Sequence, residues 1–126
     1  MIKPFHLALL TCLATATSLL ADDAEQRKFF NEKILPVLKM HCFECHAKDA
    51  DEVKGGLRLD TRAALRSGGD SGEIVKPGEP DDSLLIKVLR YDEDDRQMPP
   101  RGKLEQAVID DFTAWVKRGA VDPRDP

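Results

Sequence analysis

Histidine and cysteine, which carry much of protein chemistry, are scarce in this sequence, with three of each among 126 residues. The histidines are His6, His41 and His46. A serine hydrolase triad needs a base near its nucleophile, and Asp70-Ser71-Gly72 has no histidine nearby along the chain. The chain also lacks a glycine-rich phosphate-binding motif and any internal repeat. Triad hydrolysis and nucleotide binding are therefore not expected.

Positive charge is the second scarcity. Nineteen Lys and Arg residues face 23 Asp and Glu residues, which gives a net charge of −4. A nucleic-acid-binding protein would present a basic face to the phosphate backbone. We therefore expect no nucleic acid among the partners of this protein.

Long apolar runs are absent except near the N-terminus, where residues 7–20 contain no charge. This run is too short to cross a membrane. Lys3 precedes it, the small residue Ala21 ends it, and a charged segment follows, an order typical of a signal peptide. We predict that residues 1–21 are a signal peptide and that 22–126 is one exported domain, periplasmic or otherwise extracytoplasmic, with no stable membrane span. An uncleaved N-terminal anchor is the alternative.

Signal cleavage would leave few cysteines to consider. Cys12 would be lost with residues 1–21, so the mature chain would keep Cys42 and Cys45. The same cleavage removes Lys3 and no acidic residue, which leaves 18 basic against 23 acidic residues and a net charge of −5. The charge argument against nucleic acid therefore becomes slightly stronger.

Helical periodicity predicts a mostly α protein. Apolar residues recur on one face in three segments, 24–40, 81–90 and 104–118. Pro36 is expected to kink or end the first helix, because proline donates no N–H and crowds the preceding turn. Asp81 or Asp82 can cap the second helix, and Gly119 should stop the third.

A long, glycine-rich and mostly irregular loop region is predicted between these helices. Residues 47–82 hold six of the eight glycines, with a short extended piece near Leu57 and Leu59 and a helical turn over 61–66. Loops of this length in a small domain tend to be functional, and wrapping a cofactor is one such function. The tail 122–126 is expected to fray.

The clearest chemical signal is the C-x-x-C-H motif of residues 42–46, typical of covalent haem attachment. Residues three and four apart share one face of a helical turn. Cys42, Cys45 and His46 can therefore face one flat ring, with two thioether bonds to haem vinyl groups and the imidazole on the iron. A thiol redox pair and a zinc site are the alternatives. The first needs a βαβ pattern that is not seen, and the second needs four ligands, to which only His41 could add.

Met98 is the candidate for the sixth iron ligand. Met40 and His41 lie too close to His46 in sequence to reach the opposite haem face. Met98 opens a stiff Met-Pro-Pro loop 52 residues after His46, and His/Met ligation raises the reduction potential. An ordinary core methionine is the alternative, but the polar neighbours of Met98 do not favour it.

Several short segments together resemble the planctomycete-type cytochrome c domain, a member of the cytochrome c superfamily, over residues 29–120. These are Ile34-Leu35-Pro36-Val37-Leu38, the motif at 42–46, Lys54-Gly55-Gly56-Leu57-Arg58-Leu59-Asp60, Pro77-Gly78-Glu79-Pro80, Ser83-Leu84-Leu85-Ile86, Met98-Pro99-Pro100 and Trp115-Val116-Lys117-Arg118-Gly119-Ala120. The resemblance implies a small, mostly α fold with helices packed around one haem c. It supports Cys42 and Cys45 as attachment sites and His46 and Met98 as iron ligands.

The expected function is single-electron transfer between redox partner proteins, with donor and acceptor unidentified. No side chain would act as acid, base or nucleophile, so we do not expect an enzyme. Two alternatives stay open, a haem-bearing subunit that docks onto a dehydrogenase, and a haem enzyme or sensor with an open sixth site. The basic residues that could pair with haem propionates are Lys54, Arg58, Arg62 and Arg101, although a solvated surface is their default role.

Overall fold

The computed structural model describes residues 19–125, and this part of the chain is mostly helical. The signal peptide predicted for 1–21 lies almost entirely outside the described residues and stays a prediction. The helices are α1 (helical residues 19–41), α2 (Arg62–Ser67), α3 (Leu84–Arg90) and α4 (Gln106–Lys117), with single 3₁₀ turns at Lys54–Gly56 and Pro80–Asp82. No helix between residues 19 and 125 is long and apolar enough to cross a membrane.

The core forms where the first and last helices pack together. Phe30, Ile34 and Leu38 recur every four residues along α1 and are fully buried. The Phe30 and Trp115 rings lie 5.8 Å apart, and Phe112 meets Trp115 edge-on at 6.2 Å. Burial of each such side chain contributes about 1.5–3 kcal/mol, so this contact joins the two ends of the domain. The predicted apolar faces of both helices are confirmed.

Pro36 does not end the first helix. The Leu35 N–H bonds to the Phe30 carbonyl, five residues back, so residues Phe30–Ile34 form one π-helical turn. Pro36 then falls in the first turn of the α-helical stretch Leu35–His41, where a missing N–H is tolerated. The widened turn accommodates the proline, so the prediction is wrong where it has Pro36 end the helix, and the predicted kink stays a prediction.

The N-terminus of α3 also differs from the prediction. Pro80–Asp82 form a 3₁₀ turn, so Ser83 rather than Asp81 or Asp82 occupies the N-cap. The buried Ser83 hydroxyl accepts the Lys76 N–H at 2.9 Å and donates to the Glu79 carbonyl at 2.9 Å. Because Pro80 starts the tighter turn, the α-helix begins later than the aspartates.

The predicted helical turn near 61–66 and the predicted helix stop at Gly119 are confirmed, and the structure adds an N-cap that was not predicted. Thr61 caps α2 through its hydroxyl oxygen, which accepts the Ala64 N–H at 3.1 Å. Gly119 follows α4 with φ of 107°, and the Ala120 N–H returns to the Trp115 carbonyl at 2.9 Å. Glycine adopts that left-handed backbone without a Cβ penalty, which explains the stop.

The prediction that the tail frays is wrong for its described residues. Asp122 is buried and pairs with Arg124, whose Nε and Nη2 reach both carboxylate oxygens at 2.9 and 2.6 Å. Arg124 Nη1 also donates to the Leu59 carbonyl at 2.8 Å, and its guanidinium lies 5.1 Å over the Phe30 ring. We call the pair Asp122 and Arg124 the C-terminal latch. It ties the tail to both the core and the loop region.

Candidate functional site

The C-x-x-C-H motif forms a helical turn directly after α1. The N–H groups of Cys45 and His46 both donate to the Cys42 carbonyl, at 3.2 and 2.9 Å. This winding stacks Cys42 and His46 one turn apart, as their spacing predicts. Both thiols are half-buried and free, with no disulfide between them. The two cysteines and the histidine therefore lie on one helical turn.

One cavity brings all four predicted site residues together. It measures about 340 Å³ and is lined by Cys42, Cys45, His46 and Met98. Much of its remaining wall is apolar, formed by Leu57, Leu59, Leu85, Leu89, Pro99 and Pro100. A second cavity of about 240 Å³ shares His46, Lys54, Leu57 and Met98 with the first. A concave apolar space with few convergent ligand groups is typical of a cofactor site.

A backbone carbonyl sets the orientation of the His46 ring. His46 Nδ1 lies 3.1 Å from the Leu57 carbonyl oxygen. Because a carbonyl can only accept, Nδ1 carries the proton, and Nε2 keeps a lone pair for a metal ion. The Leu59 N–H donates to the His46 carbonyl at 2.8 Å, so the extended piece 57–59 holds this residue from both its side chain and its backbone. Sequence reasoning predicted the extended piece but not this role.

Asp60 anchors the loop that follows His46. Its carboxylate accepts the Lys48 N–H at 2.9 Å and two bonds from the Arg58 guanidinium at 3.2 and 3.0 Å. Burial alone would raise the pKa of Asp60, but the bonds from Arg58 and from the Lys48 N–H outweigh it, so the pKa lies below its usual value. The ionised carboxylate thus stabilises residues 46–60 as one unit.

Two hydrogen bonds attach the Met98 loop to the end of α3. The Met98 N–H donates to the Val88 carbonyl at 3.1 Å, and the Tyr91 hydroxyl donates to the Pro99 carbonyl. Tyr91 itself ends α3 in the left-handed region, with φ of 62°. The position of Met98 in the cavity therefore depends on α3 as well as on the two prolines.

The environment of Cys42 does not favour a thiol redox site. Burial raises the pKa of Cys42 to about 11, so its thiol stays protonated near neutral pH. Redox-active cysteines are instead activated by a lowered pKa. Between residues 19 and 125, no group of three or more His, Cys, Asp or Glu side chains is arranged to hold a metal ion. Haem attachment remains the interpretation that fits the geometry.

The structure separates the four basic residues predicted as propionate partners. Lys54 lines both cavities, whereas Arg58, Arg62 and Arg101 line neither. Arg101 pairs instead with Glu44 beside a third cavity. Arg96 lines the smaller cavity, and sequence reasoning missed it. Its place two residues before Met98 is the signal that could have identified it.

Comparison with known proteins gives one family match over part of the chain. The family model described as Planctomycete cytochrome C matches residues 42–102. This range contains the C-x-x-C-H motif and the Met-Pro-Pro loop, while the resembling segments at 34–38 and 115–120 lie outside it. No significant match was found among curated proteins or among solved structures.

Proposed function

We propose that this protein is an exported single-electron carrier with one covalent haem c, and the match of residues 42–102 to the planctomycete cytochrome c family supports this proposal. A match to this family suggests haem binding and electron transfer. The proposal adds the attachment residues, the iron ligands, the number of haems and the compartment.

The observation that carries the proposal is the shared cavity of Cys42, Cys45, His46 and Met98. The two thiols would each add across a haem vinyl group to form a thioether. His46 Nε2 and the Met98 sulfur would ligate the iron. The bound haem would supply the one-electron chemistry, because its iron cycles between the ferric and ferrous states.

The side chains around the cavity would tune this centre rather than react. The Leu57 carbonyl holds the His46 tautomer and strengthens the imidazole as a donor. Thioether ligation by Met98 would raise the reduction potential. Buried leucines at the cavity, Leu59, Leu85 and Leu89, would exclude water and lower the local dielectric.

The attachment is tested on protein exported from a host that matures c-type cytochromes. A pyridine haemochrome spectrum should show two thioether links. The double variant Cys42→Ser with Cys45→Ser should lose all haem to acid–acetone extraction, while the control Cys12→Ser, altered only in the predicted signal peptide, should keep it. Haem that resists extraction in the double variant would refute these attachment sites.

The sixth ligand is tested by spectroscopy of the ferric protein. Wild type should be low-spin, with the weak red band of sulfur–iron ligation, and Met98→Ala should lose that band and show a lower potential. Met40→Ala is the matched control, because Met40 is 77% exposed and lines a different cavity. An unchanged Met98→Ala spectrum would exclude Met98.

The same spectra distinguish an electron carrier from a haem enzyme or sensor. A high-spin ferric wild type that binds carbon monoxide without denaturant would support an enzyme or sensor with an open site. Two hydrogen bonds hold the Met98 loop at the cavity, which favours the closed site. A subunit of a dehydrogenase would share all the haem chemistry, so copurification of such an enzyme from the native host would favour that alternative.

Export is tested independently of the haem. We expect the protein in the periplasmic or another extracytoplasmic fraction, with a mature N-terminus near Asp22 by mass spectrometry. A full-length chain that stays with the membrane fraction would favour the uncleaved anchor instead.

A further inference from the structure

The two cavities at His46 and Met98 differ in what lies at their far ends. The larger one contains Cys42 and Cys45, and the smaller one contains neither. They share the two proposed iron ligands together with Leu57 and Lys54, and the smaller cavity adds Ser71 and Arg96, which the larger one lacks. Lys54 lines both cavities, and its N–H donates to the Cys45 carbonyl at 3.0 Å. The rest of the smaller cavity has a mostly apolar wall that includes Leu57, Ile74, Leu84 and Val88.

The substituents of haem differ between the two halves of its ring. Its two vinyl groups lie on one half of the macrocycle, and its two propionates lie on the other half. If Cys42 and Cys45 hold the vinyl half, the propionates lie across the iron from them. Carboxylates against an apolar wall need partners, because burying an unpaired charge is costly.

Arg96 is already oriented at the mouth of this cavity. Its Nη1 lies 3.4 Å from the Ser71 hydroxyl, and its Nη2 lies 2.9 Å from a Glu93 carboxylate oxygen. Its Nε also lies 3.9 Å from an Asp95 carboxylate oxygen, which is beyond hydrogen-bond distance. Guanidinium has five N–H donors, so these contacts leave donors for a further partner. The flat, rigid guanidinium can then bind a carboxylate through two parallel hydrogen bonds.

Lys54, which lines both cavities, also has an acidic partner. Its ammonium group pairs with Glu52, which faces solvent. An ammonium has three donors, and one ion pair does not use them all. Glu52 and Glu93 thus steady the two cations from outside without filling the cavity.

Close backbone contact sets the spacing between the loops that carry Lys54 and Ser71. The Asp70 N–H donates to the Gly55 carbonyl at 2.8 Å. A Cβ on Gly69 would lie 2.5 Å from the same oxygen, closer than real Cβ atoms come. Glycine at 69 therefore permits a contact that no other residue would allow, and it joins the two loops into one rim.

We infer that Lys54, Ser71 and Arg96 form the binding site for the haem propionates. This inference rests on the proposed haem function and goes beyond it by naming the residues at the anionic edge. The two cations would offset the propionate charge near the iron, which favours the ferrous state. Ser71 would add a neutral hydrogen bond and keep Arg96 turned toward the cavity.

The test uses the haem-loaded protein and the variants Arg96→Gln, Arg96→Lys and Lys54→Gln. Resonance Raman spectra contain propionate bending bands whose frequency follows the hydrogen bonds of each carboxylate. We expect Arg96→Gln and Lys54→Gln each to shift a propionate band and to lower the midpoint potential, with Arg96→Lys closer to wild type. Arg101→Gln is the matched control, because Arg101 pairs with Glu44 beside Cys45, at the other side of the haem. It should leave the propionate bands in place.

Different outcomes would refute the proposed electron-carrier function and the propionate site. Wild type without covalent haem, or with a high-spin ferric iron, would refute the proposed function itself. A loaded, low-spin wild type whose propionate bands do not move in Arg96→Gln or Lys54→Gln would overturn the propionate site alone. Equal potential shifts in Arg96→Gln and Arg101→Gln without a Raman change would also overturn it, since they would show only a distant charge effect.

Discussion

Replacing Arg124 with alanine should destabilise the whole domain, although the residue lies in the tail. The change removes the partner of Asp122, whose side chain is 1% exposed. It also removes the donor to the Leu59 carbonyl and the cation above the Phe30 ring. Leu59 lines the candidate haem cavity, and its N–H holds the His46 carbonyl. The C-terminal latch is therefore linked to the haem-binding segment through one residue.

The expected cost follows from the burial of the pair. Removing one partner of a buried ion pair costs about 3–5 kcal/mol, because the other charge is left without compensation. The Arg124 side chain is 13% exposed, so water can partly reach the vacated space and the lower part of the range applies. We expect a loss of about 3 kcal/mol, a large fraction of the roughly 5–15 kcal/mol that stabilises a typical domain.

Guanidinium unfolding of the haem-loaded protein, followed by far-UV circular dichroism, measures this loss. Arg118→Ala is the matched control, because Arg118 stacks 5.1 Å over the Phe29 ring but forms no ion pair with an acid among residues 19–125. Its expected cost is about 0.5–1 kcal/mol. Hydrogen exchange at the Leu59 amide should accelerate in Arg124→Ala and stay unchanged in the control.

A double-mutant cycle isolates the latch itself. Asp122→Asn combined with Arg124→Ala should be more stable than Arg124→Ala alone, because no buried charge is left unpaired. The stabilising role of the C-terminal latch would be refuted if Arg124→Ala lowers the free energy of unfolding no more than Arg118→Ala does. It would also be refuted if the effects of the two latch substitutions on that free energy simply add.

Three further predictions concern the supports of the site. Tyr91→Phe removes the hydrogen bond to the Pro99 carbonyl, at a cost of about 0.5–1.5 kcal/mol in stability. In stopped-flow spectra, the variant should exchange its methionine ligand for added imidazole faster than wild type. An unchanged rate would contradict the anchoring role of Tyr91. Gly69→Ala should destabilise by about 1–3 kcal/mol, whereas Gly102→Ala, with open space around its Cβ, should be near neutral; equal costs would exclude the close contact. Asp60 has a lowered pKa when folded, so its stabilisation is present above its unfolded pKa of about 3.9 and is lost as pH falls through the folded value. Asp60→Asn should therefore be less stable at pH 7 and show a flatter decline in acid-unfolding curves; a parallel decline would disprove the linkage.

The sequence alone determined the features that depend on neighbours three and four residues apart. The buried faces of α1 and α4 follow from apolar spacing, and the helical turn at 42–46 follows from the order of its cysteines and histidine. Thr61 and Gly119 act where local turn chemistry places them. Each of these features requires only local backbone geometry, which a linear pattern records.

Local sequence patterns did not predict the structure where one segment can adopt two backbone conformations. Pro36 was expected to kink or end its helix, and a π turn over Phe30–Ile34 keeps the chain helical. That turn leaves Phe30, Ile34 and Leu38 buried together, so packing selects it. Likewise the tail contains two prolines and three charges, which favours fraying. The burial of Asp122 against Arg124 reverses that preference.

Only the tertiary structure determines which residues contact the proposed iron ligands and line the cavity around them. Leu57 reaches His46 across 11 residues, and Arg124 reaches Leu59 across 65. Arg96 enters the cavity because its loop folds onto the one that carries Ser71. Contacts at such separations leave no periodic trace in a sequence, because chain closure and packing, rather than local spacing, bring their partners together. The motif at 42–46 therefore indicates which cofactor the chain can hold, and the fold decides what surrounds it.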